Sequence, residues 1–194
     1  DPENADVVYA STPGSGLRFS LDAGATWSTE ADVGVGTSVF GGSDGGHLIA
    51  FDPTSAVSGG RTQGIYVSTY GTGVYHSTDA GANWTLTTST PTTHCQMIVD
   101  HTGALWLTTV ATSSSPPCHS NAMKYTGTWA TITAGSQTDR IHSVVVDPGN
   151  ANNIWLGMDS GNLITTTNGG GAWTDPNFND TRAATDIPWL AVHC

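Results

Sequence analysis

Short apolar runs that end in a polar residue recur at nearly even intervals along the chain. The runs end at Asp52, Asp100, Asp147 and His193, and Asp1 opens with a matching Asp-Pro, so the intervals are 46 to 51 residues. A period of this length that fills a chain is typical of repeat architectures. We therefore predict a single domain of four repeats, at about residues 1–52, 53–100, 101–147 and 148–194.

Each repeat continues with two further strand-like runs. The first is rich in β-branched and aromatic residues, and it stands at residues 7–12, 64–69, 104–109 and 153–157. A glycine-bearing turn then leads to another run, at residues 16–20, 73–77 and 162–165. This composition and spacing predict a small antiparallel meander in each repeat, and hence an all-β fold.

A turn of the pattern Ser/Thr-x-Asp/Asn-x-Gly-x-x-Trp follows in three repeats. In the remaining repeat Trp129 keeps its place, and Lys124 stands at the Asp position. A short Asp or Asn side chain can bond backbone amides a few residues on, while Gly supplies a corner with positive φ. We interpret these residues as structural turn fasteners and the Trp as packing between neighbouring sheets. The three copies are Ser20, Asp22, Gly24 and Trp27; Ser77, Asp79, Gly81 and Trp84; and Thr166, Asn168, Gly170 and Trp173.

These turns resemble the Asp boxes (BNR repeats) of sialidases and related β-propellers. Further segments resemble, in order, the amino-terminal propeller of family 74 glycoside hydrolases, which cut xyloglucan and related β-1,4-glucans. The resemblance implies a β-propeller, which we predict is built of the four Asp-box repeats identified above, and a plant β-glucan such as xyloglucan as substrate. The segments are residues 51–55, 64–68, 73–84, 124–133 and 143–148.

The resemblance also implies two catalytic Asp residues, each in an Asp-x-Gly-Gly turn after the second strand of a blade. One would be the general acid and the other the base of an inverting hydrolysis. The matching turns here are residues 13–16, 70–73 and 159–162, and Asp159 alone fits in part. The pair is therefore not evident. Asp44, which shares a glycine-rich loop with His47, is the second candidate, and both carboxylates have a plainer interpretation as turn or loop residues.

Aromatic side chains are candidate platforms for sugar rings. Tyr70 and Tyr75 stand in or near a turn, and Tyr70 is the stronger of the two. Trp106 and Trp155 are further candidates, but in a propeller such residues also fill the space between blades. The histidines have no spacing typical of a metal site, so we predict neither a metal nor another cofactor.

The composition and charge of the chain limit the classes of partner that it is expected to bind. The chain has 194 residues, with 5 Lys and Arg against 16 Asp and Glu and a formal net charge of −11. Nucleic acids and anionic membranes attract basic surfaces, so neither is an expected partner. The partner that the resemblance implies is a polysaccharide or oligosaccharide. No apolar run approaches the roughly 20 residues that span a bilayer. Composition and cysteine usage favour extracellular residence, with any secretion signal removed or never present.

The points at which the first and last repeats begin and end predict how the propeller closes into a ring. Asp1 follows the point where an innermost strand would lie, and residues 189–193 form an innermost strand without the rest of its repeat. Propellers commonly close when one terminus completes the blade begun by the other. We predict four four-stranded blades, with residues 189–193 beside residues 7–12, either within one chain or by strand exchange that makes a larger ring in a homodimer.

Two functions remain open at this point. One is a secreted glycoside hydrolase-like propeller that acts on a β-glucan. The other is a noncatalytic carbohydrate-binding, lectin-like propeller or a structural propeller module.

Overall fold

A computed structural model of the chain describes residues 1–12, 16–29, 49–69, 71–109, 121–134, 140–158 and 161–176. Within these residues all regular structure is β, which confirms the all-β fold class. None of the described residues forms a helix long and apolar enough to cross a membrane. The strands are β1 (Val8–Thr12), β2 (Gly16–Ser20), β3 (Ser28–Thr29), β4 (Ile49–Phe51), β5 (Val57–Ser58), β6 (Arg61–Thr62), β7 (Ile65–Thr69), β8 (Gly73–Ser77), β9 (Thr85–Leu86), β10 (His94–Val99), β11 (Leu105–Thr109), β12 (Ala122–Tyr125), β13 (Trp129–Ile132), β14 (Ile141–Asp147), β15 (Asn150–Met158) and β16 (Leu163–Thr166).

Among the described residues, four antiparallel sheets of three or four strands follow one another in sequence order, and we call them blades 1 to 4. Their strand orders are β1-β2-β3, β4-β7-β8-β9, β10-β11-β12-β13 and β14-β15-β16. In blade 4 an isolated bridge from Thr165 to Thr174 lies where a fourth strand would be. Residues 189–193 lie outside the described residues, so closure of the ring stays a prediction.

Blade 2 carries a small insertion between its first two strands. The strands β5 and β6 form a hairpin whose two connecting residues, Gly59 and Gly60, have φ values of 61° and 71°. Two consecutive positive φ values define the primed turn that joins hairpin strands with the correct twist. This hairpin is not among the elements predicted from the sequence, although a Gly-Gly pair is a hairpin signal.

The hairpin ties blade 1 and the amino terminus to blade 2. The Arg61 guanidinium donates to the carbonyl of Ala80 over 2.7 Å and also to the hydroxyl of Tyr9. The backbone N–H and the hydroxyl of Thr62 donate to the Asp1 carboxylate over 2.9 and 2.6 Å. The bonds to Tyr9 and Asp1 fix the relative placement of segments that lie 52 and 61 residues apart in sequence.

The described residues form three apolar core clusters, each between two neighbouring blades. In the first, Leu17 of blade 1 packs with Ile65 and Val67 of blade 2. In the second, Tyr66 of blade 2 packs with Leu105 of blade 3, and the third joins blades 3 and 4. Successive residues of a strand point to opposite faces, so the central strand of a blade contributes to two clusters. This explains why β7 and β11 are buried along their whole length.

Candidate functional site

In blades 2 to 4, equivalent strands end or start at the same edge. The backbone N–H of Val144 in β14 donates to the Oε1 atom of Gln96 in β10 over 2.9 Å, which places the starts of these strands side by side. The antiparallel partners β11 and β15 end at those starts. The N–H of Gly71, just after β7, donates to the carbonyl of Thr92, just before β10, over 2.7 Å. We call this the upper edge, at which β10 and β14 start and β7, β11 and β15 end.

Three sequence candidates adjoin the upper edge along the chain but lie outside the described residues. Tyr70 directly follows β7, and Asp159 directly follows β15. Asp44 stands five residues before Ile49, where β4 starts next to the end of β7. The structure therefore describes the strands that carry these residues and not the residues themselves. Exposed polar side chains that are described at the upper edge are Thr72, Thr92, Asn121 and Arg140.

The Asp boxes lie at the opposite, lower edge. Each box directly follows β2, β8 or β16. β8 and β16 run away from the upper edge, and β2 is the equivalent strand of blade 1. β8 has five residues, and a strand rises about 3.3 Å per residue, so the two edges are roughly 16 Å apart. The boxes are therefore remote from the loops that follow β7, β11 and β15.

All three Asp boxes share one hydrogen-bonding pattern. The first hydroxyl donates to the Oδ1 atom two residues later, over 2.7, 2.9 and 2.7 Å in chain order. The same hydroxyl oxygen accepts the glycine N–H over 2.8, 2.8 and 3.2 Å. That Oδ1 atom accepts a further backbone N–H over 2.8, 2.8 and 2.9 Å. The turn requires positive φ at two consecutive positions, which are Ala23 and Gly24, Ala80 and Gly81, and Gly169 and Gly170.

These bonds also stabilise the charged form of the Asp-box carboxylates. The hydroxyl and backbone N–H of Thr26, with the hydroxyl of Ser20, lower the pKa of Asp22 to about 2. The side-chain amide and backbone N–H of Asn83 lower the pKa of Asp79 in the same way. Carboxylates held in this state accept hydrogen bonds and do not donate protons near neutral pH.

Two further carboxylates terminate the innermost strands of blades 3 and 4. The pKa of Asp100 is lowered. Burial by itself would raise this pKa, but the hydrogen bonds from Thr102 and Trp106 outweigh the effect of burial. Bonds from Asn153 and Gly149 lower the pKa of Asp147. A general acid needs a raised pKa, and every described carboxylate with a shifted pKa is shifted downward. These carboxylates are Asp22, Asp79, Asp100 and Asp147.

The remaining aromatic candidates lie at the faces between blades. Trp106 is 0% exposed and its indole N–H donates to Asp100 over 2.8 Å, so its ring has no face open to a ligand. Tyr75 is half-buried beside the cluster between blades 1 and 2. Trp155 is half-buried, and it faces away from blade 3 because its neighbours Ile154 and Leu156 face toward it.

An aromatic residue recurs at one position of every repeat, and this becomes clear only from the pairing of the strands. The strands β1, β7, β11 and β15 are equivalent in the four blades, and each carries one aromatic residue directly opposite a residue of the strand that follows it in the sheet order. Tyr66 and His76 stack with ring centroids 4.2 Å apart, and the Lys124 ammonium lies 4.5 Å from the centroid of the Trp106 ring. Trp106 and Trp155 are candidates on sequence grounds, whereas Tyr9 and Tyr66 are not, although all four share one position in the repeat. The pairs are Tyr9 with Phe19, Tyr66 with His76, Trp106 with Lys124 and Trp155 with Thr165.

The structure corrects the interpretation of the third repeat. Lys124 does not stand in a turn, because β12 continues through it to Tyr125. Only residues 126–128 then connect to Trp129, the first residue of β13. The Asp-box turn is thus replaced by a shorter turn, and Lys124 is a strand residue that covers Trp106.

The described residues contain no group of three or more His, Cys, Asp or Glu side chains that could hold a metal ion.

Comparison with known proteins gives a partial but consistent resemblance. No protein-family model matches the chain. A curated xyloglucanase of a Paenibacillus species is 37% identical over 121 residues, which are 56% of this chain and 12% of that protein. A xyloglucanase of Hypocrea jecorina is 33% identical over 105 residues, which are 47% of this chain and 12% of that protein. The chain thus matches about an eighth of the length of these relatives.

Solved structures extend the resemblance to nearly the whole chain. The GH74 enzyme of Niastella koreensis superposes with a TM-score of 0.71 and 27% identity, over 90% of this chain and 28% of that one. The GH74 xyloglucanase of Xanthomonas campestris gives a TM-score of 0.71 at 23% identity, over 90% of this chain and 29% of that one, and supports the fold. The chain resembles these enzymes, and the partial coverage fits a fragment similar to the amino-terminal propeller of that family.

Proposed function

We propose that this chain is a glycoside hydrolase-like propeller that acts on a plant β-glucan such as xyloglucan. The observation that carries the proposal is the 37% identity over 121 residues to a protein named as a xyloglucanase. The matched segment is only 12% of the relative's length, so the relative's activity does not transfer to this chain directly and hydrolysis is a proposal. A secreted location follows from the proposal, since the substrate is a plant cell-wall polymer.

The upper edge is the proposed polysaccharide-binding surface. Tyr70, Asp159 and Asp44 all adjoin it along the chain, and its described exposed side chains are polar. Hydroxyl, amide and guanidinium groups bond sugar hydroxyls, and aromatic rings stack on sugar rings. The net charge of −11 repels anionic polymers but leaves a neutral glucan unaffected.

Hydrolysis at this edge needs two carboxyl groups. In the proposed inverting reaction, Asp159 as general acid gives a proton to the leaving glycosidic oxygen. The second carboxylate takes a proton from the water that attacks the anomeric carbon on the opposite face. The two groups then need to be about 6.5–9.5 Å apart. Asp44 is the proposed base within one chain, and Asp159 of a second copy is the alternative in a strand-exchanged dimer.

A noncatalytic carbohydrate-binding or structural module is the second candidate. It is favoured by the hydrogen bonds that lower the pKa of Asp22, Asp79, Asp100 and Asp147, because none of these groups suits a general acid. In that case Tyr70, which directly follows β7, would serve as a stacking platform next to the upper edge, whereas Tyr75 is half-buried between blades 1 and 2.

Incubation with xyloglucan and with mixed-linkage β-glucan separates the candidates. New reducing ends indicate a hydrolase, whereas retardation of the protein in a gel that contains the polymer, without cleavage, indicates a binding module. The matched control is Asp79→Asn at the lower edge, which we expect to behave as the unmodified chain. Neither cleavage nor retardation with either polymer would exclude both carbohydrate functions.

We also propose that the four repeats form one propeller domain in which residues 189–193 complete blade 1. The test joins Cys194 to an introduced cysteine at the exposed position Ala5, which precedes β1. Oxidation is expected to form a disulfide between them within one chain or between two. If no such disulfide forms at any protein concentration, the closure proposal fails.

A further inference from the structure

The Asp box of blade 4 differs from the other two boxes at two adjacent positions. Blades 1 and 2 have an Asp-Ala pair there, at residues 22–23 and 79–80, whereas blade 4 has Asn168 followed by Gly169. This is the one Asn-Gly pair in the sequence. Glycine has no Cβ atom to obstruct the approach of its own nitrogen to the preceding side chain, so an Asn-Gly pair is open to spontaneous deamidation.

Deamidation of this pair needs only water as a co-reactant. The Gly169 nitrogen bonds to Cγ of Asn168, the Cγ–Nδ2 bond breaks, and the proton of the Gly169 N–H leaves with the nitrogen as ammonia. Water then opens the succinimide ring. Attack of water on Cγ gives aspartate with an ordinary peptide bond, whereas attack on the main-chain carbonyl carbon gives isoaspartate, whose backbone runs through Cβ and Cγ.

The turn uses the side-chain oxygen of Asn168 and leaves its nitrogen unused. Oδ1 accepts the Thr166 hydroxyl over 2.7 Å and the Ala172 N–H over 2.9 Å. Nδ2 has no hydrogen-bond acceptor among the described residues, and Asn168 is exposed. In blades 1 and 2 the equivalent atom is Oδ2, which accepts a side-chain donor of Thr26 or Asn83 where blade 4 has Ala172. Replacement of Nδ2 by oxygen therefore removes no bond from the turn.

The folded turn holds the nitrogen that would attack. The N–H of Gly169 donates to the carbonyl of Asn152 over 2.9 Å, and the same bond recurs in the other two boxes over 2.8 and 3.0 Å. Attack requires this nitrogen to lose its proton and to turn toward Cγ, so the bond must break first. Local opening of a turn provides the opportunity without global unfolding.

We propose that Asn168 is a site of spontaneous deamidation, slowed by the folded turn, whose aspartate product completes an Asp box like those of blades 1 and 2. The Thr166 and Ala172 donors then bond a carboxylate, and hydrogen bonds to a charged acceptor are the stronger ones. The isoaspartate product adds an atom to the backbone, which breaks the spacing that lets the Thr166 hydroxyl accept the Gly170 N–H over 3.2 Å. The proposal does not depend on the carbohydrate function.

Peptide mass mapping after long incubation at mildly alkaline pH, in buffer and in concentrated urea, measures the loss of the amide. The Asn168 peptide is expected to gain the mass difference between O and NH slowly in buffer and several-fold faster in urea. Asn83, which is exposed and followed by Trp84, is the internal reference and is expected to keep its amide. Labelling by an isoaspartyl methyltransferase separates the two products.

The matched control is Gly169→Ala. Ala23 and Ala80 occupy the equivalent position with φ 56°, and a Cβ atom at Gly169 meets only the end of the Asn152 side chain, at 3.2 Å. This variant is expected to fold and to lose the amide several-fold more slowly than the unmodified chain in urea.

The Asn168→Asp variant tests whether the product fits the turn, and its thermal unfolding is expected to match that of the unmodified chain. A midpoint well below that of the unmodified chain would overturn the proposal. An amide at Asn168 that is retained in buffer throughout the incubation, or that is lost equally fast in buffer and in urea, would overturn it as well.

Discussion

The imidazole ring of His76 lies parallel to the phenol ring of Tyr66, with centroids 4.2 Å apart and an interplanar angle of 9°. The two residues are directly opposite on β7 and β8, at the boundary between blades 2 and 3. Burial raises the pKa of Tyr66 to about 12. Burial also lowers the pKa of His76, and the nearby Asp52 charge opposes this only in part. Both rings are therefore neutral at pH 7, as an apolar boundary requires.

As the pH is lowered, this boundary is predicted to lose stability at a higher pH than that at which the carboxylates take up protons. Below pH 6.5, the ordinary pKa of histidine, the unfolded chain takes up a proton that folded His76 does not, so the free energy of unfolding falls as the pH falls. If the unfolded chain binds one proton more than the folded chain, the free energy of unfolding falls by about 1.4 kcal/mol per pH unit, which is the steepest slope that one histidine can give. The His76→Phe variant keeps a flat ring for stacking and is expected to show a shallower decline between pH 6.5 and 5 in urea unfolding.

Two other histidines provide the controls. Buried His94 also has a lowered pKa, so part of the decline is expected to persist in His76→Phe. Exposed His101 lies in a turn, and His101→Phe controls for the replacement of a histidine by phenylalanine outside the core. An unchanged slope in His76→Phe would show that the His76–Tyr66 stack is not pH-sensitive.

The Asp79→Ala substitution is expected to lower stability by about 1 kcal/mol, because the carboxylate accepts bonds from Ser77 and Asn83 that hold the turn. Asp79→Asn should lose less, since Asn168 forms the same turn in blade 4. Urea unfolding measures both effects, with Glu3→Ala as a control for removal of an exposed acid. A loss of polysaccharide binding per folded molecule, without a change in stability, would contradict the structural role of the Asp boxes.

Substitutions at Gly73 and Gly71 are expected to differ sharply in cost. Gly73 has φ +135°, and a Cβ atom there would overlap the Thr90 side chain. We expect Gly73→Ala to lower the free energy of unfolding by about 3 kcal/mol or more, through backbone strain and steric overlap together. Gly71 has φ +78° with open space around its Cβ position, so Gly71→Ala should cost about 1 kcal/mol, from backbone strain alone. Equal thermal shifts for the two variants would contradict the packing of Thr90 on this turn.

If the chain hydrolyses β-glucan, Asp159→Asn is expected to reduce turnover about 10²–10⁴-fold with little change in stability, because general acid–base catalysis contributes this much. Asp44→Asn should have a comparable effect if it is the base. Release of reducing ends from xyloglucan measures both, and Asp22→Asn at the lower edge is the matched control. Full activity of Asp159→Asn would remove that residue from the proposed mechanism.

Local features of the fold were predictable from the sequence. The runs at residues 16–20 and 73–77 coincide with β2 and β8, because β-branched and aromatic residues bounded by Gly favour a strand whatever lies beside it. The Asp-box turns were predictable too, since each is closed by hydrogen bonds between residues at most four positions apart.

The sequence by itself thus determined the repeat and its turns, whereas the tertiary structure decided which side chains are buried and where. Arg61 reaches Tyr9 across 52 residues and Gln96 reaches Val144 across 48, and no local pattern marks either contact. Trp27 and Trp84 occupy the same position in identical turn patterns, yet one is 42% exposed and the other 9%. Their local sequences cannot distinguish them, because burial depends on whether another blade packs against that face.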